Sequence, residues 1–97
     1  MILNIDGAPT EALQQMLSEE LLELETLRGN LDAIESERSY FTAHIEPQMV
    51  SNQFGRFEAD AILEDIDARF QGTLLAFKSH ACRVHLYRFQ LYLRGEA

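Results

Sequence analysis

The residues best suited to chemistry stand close together, in His80-Ala81-Cys82-Arg83-Val84-His85. Two imidazoles and a thiol are metal-ligand types. On a helix, Cys82 and His85 share a face because they are three apart, whereas His80 and Cys82, two apart, do not. A zinc site needs three or four ligands, and the chain has one cysteine. As a nucleophile, Cys82 would have His85 one turn away and Arg83 beside it. Reactive thiols sit in exposed, electropositive places, often at helix N-termini. Cys82 instead falls within an apolar pattern, where a thiol is expected to behave as a small buried hydrophobe.

Glu58, Asp60, Glu64, Asp65 and Asp67 form the densest carboxylate group. A di-iron helical site pairs Glu with a His three residues on. Here Glu64 is followed by Asp67, and acids near a helix start complement its dipole, so a solvated acidic face is expected. Basic and aromatic residues mix from Arg83 to Arg94, with Tyr87, Phe89 and Tyr92. Such a mixture suits a membrane interface or a nucleic-acid patch, but it lacks clustered Lys, and acids are expected opposite. No catalytic residue, metal or other cofactor is assigned, and the chain is not expected to be an enzyme.

The elements that would carry these residues are set by apolar spacing. Leu17, Leu24, Leu31, Arg38 and Ile45 recur every seven residues, and Leu27, Ile34 and Phe41 do so with an offset of three. Both series lie on one helical face, with Leu13 and Leu21 beside them. Leu63, Phe70, Phe77, Val84 and Leu91 repeat the pattern, with Ile66, Thr73, His80 and Tyr87 as offset partners. Pro47, Ser51-Asn52 and Gly55 interrupt it. The spacing predicts one all-α domain over residues 1–97: an N-terminal arm at 1–9, a helix at 10–46, a turn at 47–56 and a helix at 57–94. A kinked continuation of the first helix through Met49-Val50 and a start of the second near Asn52 stay open. Thr10 is the expected N-cap of the first helix, or Pro9 is its first residue. From Val84 to Leu93 the alternation of Tyr87, Phe89, Leu91 and Leu93 also suits a strand, but leucine dominates and helix is expected.

The architecture expected is an antiparallel hairpin of two long amphipathic helices, coiled-coil-like in pattern, paired into a four-helix-bundle-like oligomer. Charge supports the antiparallel order. Residues 11–37 carry eight acids and one base, Arg28, net −7, whereas residues 69–94 carry five bases and no acid. A fold about residue 51 or 52 puts Glu19, Glu20, Glu23 and Glu25 across from Lys78, His80 and Arg83. It also puts Arg38, a charge in an apolar series, near Asp65, with Asp67 within reach. Exposed pairs contribute only a few tenths of a kcal/mol each, so their value lies in choosing the register.

Leu75, Cys82, Leu86, Phe89 and Leu93 form a second stripe on another face of the second helix. A helix apolar on two sides must be covered on two sides. These five residues are the candidate interface with a second subunit or a protein partner, and Ile2, Leu3 and Ile5 of the arm could cover part of it. A homo-oligomer, with a dimer favoured, is expected. The formal net charge of −8 opposes direct nucleic-acid binding, which depends on neutralising phosphates. No window is apolar enough to span a membrane, and Met1-Ile2-Leu3 lacks a basic lead for a signal peptide. With a single cysteine, a cytoplasmic protein is expected.

Tyr92-Leu93-Arg94-Gly95-Glu96 is similar to the Tyr-x-x-x-acid export tail of small secreted helical hairpins of the Trp-x-Gly family, which share about this length and shape. The chain has no Trp and its turn reads Asn52-Gln53-Phe54-Gly55, so the resemblance stops at the tail and no membership is implied. The function expected is a non-enzymatic protein-interaction module, an adaptor or small secretion-type chaperone. The rival expectation is a small acidic antagonist, of the kind phages use, that blocks a partner protein by presenting carboxylates, as a nucleic-acid mimic occupying a nucleic-acid site would.

Overall fold

Pro47 sits inside a helix rather than ending one. A proline there removes one backbone donor and drives its ring against the carbonyl four residues back. In the computed structural model, which describes residues 7–96, the chain absorbs this with a widened turn just before it. Helix α1 spans Thr10–Tyr40, a π turn spans Phe41–Ile45, and helix α2 spans Glu46–Met49. The Glu46 N–H reaches the Phe41 carbonyl five residues back. The extra residue in that turn rotates the rest of the helix by about 100° relative to an unbroken α-helix. Ile45, expected in the seam, is therefore exposed, while Met49 and Val50 pack beside Phe41, Ala59 and Ile66.

Helix α3 spans Gln53–Leu93. The turn is thus residues 50–52, shorter than the 47–56 expected, because both helices run further into it. The Asn52 side chain accepts a 2.8 Å hydrogen bond from the Gly55 N–H and so caps α3. Gly55 is needed for space: a Cβ on it would stand 1.6 Å from the Met49 carbonyl oxygen. At the other end of α3, Gly95 takes φ 77°. Its N–H bonds to the Tyr92 carbonyl and the Glu96 N–H to that of Leu91, the left-handed glycine stop of a helix. The Tyr92–Glu96 segment is therefore a helix terminus. At the start of α1 the N-cap is Pro9, and its carbonyl takes the Leu13 N–H. Thr10 is the first helical residue, and its hydroxyl accepts from Arg94 at 3.3 Å instead of capping. The arm residues 1–6, Ile2, Leu3 and Ile5 among them, lie outside the described residues.

About nine tenths of the described residues are helical and none is in a strand, so the all-α expectation holds, including Val84–Leu93. Contacts set the order of α1 against α3. Leu13 packs with Tyr87 and Leu91 at one end, and Phe41 with Ala59 and Ile66 at the other. The molecule is elongated, 63 × 22 × 15 Å, with a radius of gyration of 19.9 Å. A compact chain of about 100 residues has roughly 13 Å. Eight apolar side chains are buried, whereas twelve large ones among the described residues are exposed. Two helices make one seam and no more.

Candidate functional site

Two features stand out once the helices are placed: a charged layer within the seam and an apolar stripe facing away from it. The layer centres on Glu20. Its side chain is 16% exposed and lies against His80 and Arg83. The Arg83 Nε donates to Glu20 Oε1 at 2.8 Å, and His80 Nδ1 meets Oε2. Arg83 Nη2 also lies 2.8 Å from the same His80 Nδ1, so the three side chains form one layer. Burial pushes the Glu20 carboxyl up, but the hydrogen bonds from His80 and Arg83 and their charges outweigh it, and the net shift is downward. Sequence spacing carries a signal for this layer. The series Leu27, Ile34, Phe41 extends backward by sevens to Glu20 and then to Leu13, and His80 already stands in the facing series.

Further ties join α1 to α3. Arg69 bonds to Glu37 across the seam and, at 2.9 Å, to Asp65 on its own helix. Its hydrogen bond lowers the Glu37 pKa despite some desolvation. The Arg28 guanidinium lies 5.9 Å from the Phe77 ring centre, within cation–π range. Arg38 is half-buried and pairs with Asp67 rather than Asp65, and its own pKa is raised chiefly by that hydrogen bond. Of the acids expected opposite Lys78 to Val84, Glu20 alone bonds to α3. Glu25 pairs with Arg28, and Glu19 accepts from Gln15.

The residues that could do chemistry do not converge. His80 turns into the seam, His85 stacks on Phe89 with ring centres 6.4 Å apart, and Cys82 is exposed. Among the described residues no three His, Cys, Asp or Glu side chains are grouped as metal ligands would be. The expectation of a buried thiol is corrected: among the described residues no element covers the face of α3 that carries it. The grooves along the seam, such as that beside Ile34, Glu37, Arg69 and Gly72, are shallow. No helix among the described residues is long and apolar enough to cross a membrane.

The stripe is what remains. Leu75 is 68% exposed, Leu86 40%, Phe89 51% and Leu93 60%. The seam of α3 holds Ile66, Val84, Tyr87 and Leu91, which by helical phase lie nearly opposite the stripe. Phe57 is exposed on the same side, nearer the start of the helix. The chain matches no protein-family model, no curated protein and no solved structure.

Proposed function

We propose that this chain is a non-enzymatic protein-interaction module, an adaptor or small secretion-type chaperone, whose docking surface is the outer face of α3. In this reading α1 and α3 form an antiparallel hairpin that pairs into a four-helix-bundle-like oligomer. The observation that carries it is the exposure of Leu75, Leu86, Phe89 and Leu93 on one side of a helix whose other side already holds the seam. Burying a large apolar side chain is worth roughly 1.5–3 kcal/mol, so leaving four in water is costly unless a partner covers them. Cys82 belongs to this surface as a small apolar contact.

The rival reading, an acidic antagonist, needs carboxylates free to meet a basic site. Glu20, Glu25, Glu35 and Glu37 are engaged in ion pairs, which weighs against it. The test is the double substitution Leu86→Glu with Phe89→Glu. Both side chains are exposed, so the single chain should still fold, with an unchanged helical circular dichroism spectrum. Self-association, or capture of a partner from the native host, should be lost. Association that survives the double variant would remove the outer face of α3 as the docking surface.

A further inference from the structure

We propose that the occupant of this face is the same face of a second copy, laid antiparallel, with the two α3 helices meeting between Gly72 and Leu75. The proposal rests on the docking reading above and adds the partner and its register.

The first observation is electrical. Residues 53–68 of α3 carry five acids, Glu58, Asp60, Glu64, Asp65 and Asp67, and one base, Arg56, whereas residues 69–94 carry five bases and no acid. The helix is polarised along its length. A parallel pair sets like charge against like. Arg69 and Arg83 are tied to Glu37 and Glu20 of α1, so the charge on the side of the stripe is Asp60 and Glu64 in the first half against Lys78 in the second. An antiparallel pair centred near residue 73 brings Glu64 near Lys78 and His85 of the second copy. Complementary potentials of this kind fix orientation and register.

The second observation is size. Exposed positions on the outer face continue from the stripe toward the helix start in steps of three and four, through Gly72, Ala68, Glu64, Ala61 and Phe57, the spacing of a coiled-coil seam. Between Phe57 and Leu75 that face carries no large apolar side chain, whereas from Leu75 to Leu93 large ones recur. Antiparallel pairing lays Leu75 over Gly72 of the second copy and Leu86 over Ala61. Gly72 borders the seam groove, but among the described residues a Cβ on it would meet nothing within 4 Å. A glycine inside a helix is unfavourable, and the close approach of a second helix gives this one a use.

Cys82 reports the register. In the proposed pair it faces Asp65 of the second copy and lies about 25 Å along the helix from the other Cys82, at 1.5 Å per residue. A parallel pair, or one joining only the C-terminal halves, brings the two thiols to within about one helical turn. The experiment treats the full chain and Asp65→Cys with a short bis-maleimide and reads covalent dimers on a denaturing gel. Light scattering at micromolar concentration gives the non-covalent state. The unsubstituted chain should be a dimer that does not cross-link, and Asp65→Cys should cross-link. Gly72→Tyr puts a large side chain in the notch, at a position where a Cβ meets nothing within 4 Å, and should weaken dimerisation at least about tenfold with the helical circular dichroism spectrum unchanged. Cross-linking of the unsubstituted chain, with a dimer still broken by Leu86→Glu and Phe89→Glu, would overturn the register and keep the face. A dimer that survives that double variant would remove the face itself. A monomeric chain would overturn the second copy as occupant.

Discussion

Alanine is expected to act in opposite directions at two glycines of this chain. Within helices, replacing glycine by alanine stabilises by about 1 kcal/mol. Gly29, in the middle of α1, has nothing within 4 Å of where a Cβ would stand, so Gly29→Ala should give that full gain. Gly55, in the first turn of α3, would place its Cβ 1.6 Å from the Met49 oxygen, where ordinary contact is 3.4–4 Å. The obstacle is backbone, so no side chain can swing away. Either the start of α3 or the end of α2 must move by nearly 2 Å. That movement breaks the Asn52 cap on the Gly55 N–H, worth about 1 kcal/mol. It also disturbs Met49 and Val50 where they pack near Phe41 and Ala59, and strain of that kind costs about 1–3 kcal/mol. The sum is a loss of about 2–4 kcal/mol for Gly55→Ala. Urea unfolding monitored by circular dichroism should place the midpoint of Gly29→Ala above the parent and that of Gly55→Ala well below it. A Gly55→Ala protein as stable as the parent would refute the close approach of α3 to Met49.

Ile66 is 1% exposed, and Ile66→Asp should cost at least about 4 kcal/mol and leave little folded protein. Leu31→Asp and Phe70→Asp, at half-buried positions, should cost about 1–3 kcal/mol; equal losses at all three by thermal melting would contradict the placement of the core. Because the folded-state pKa of Glu20 lies below its ordinary value of 4.5, its stabilising share is complete above that value and is lost as pH falls through the lower one. Glu20→Gln should therefore flatten the acid limb of a stability–pH curve below pH 4.5; an unaltered acid limb would count against the buried layer. Circular dichroism of the unsubstituted chain should show at least about two thirds helix, and substantial strand content would contradict the fold.

Much of this architecture is legible in the sequence because a seven-residue period survives wherever a helix buries one face. Leu13, Leu27, Phe41, Ile66, Val84 and Leu91 fall inside as spaced. The ambiguity over Val84–Leu93 resolves as helix because Val84, Tyr87 and Leu91 are buried while Phe89 and Leu93 are not. Other features escape the spacing for identifiable reasons. The π turn changes phase without changing composition, so Ile45 reads as seam although it is exposed. Gly55 reads as a turn residue, but its constraint is a carbonyl six residues earlier in the chain. Arg38 draws attention as the charge in a leucine series, yet Glu20 is the more enclosed of the two, at 16% against 29% side-chain exposure. Polarity alone does not say which charge a neighbouring helix covers. The thiol of Cys82 reads as buried because its neighbours are apolar; they are all exposed together.

The 63 Å length of a body 22 Å wide also governs how the chain moves through water. A rod drags more solvent than a sphere of the same 11.1 kDa mass, so even a single copy elutes from a sizing column ahead of spherical standards of that mass. Two copies laid antiparallel about residue 73 would overlap along most of α3 and gain mass and thickness with little added length. Dimerisation should therefore advance elution less than the doubling of mass implies, while raising the sedimentation coefficient distinctly. The ratio of sedimentation to diffusion, measured across a dilution series, would separate a long single chain from a thicker pair.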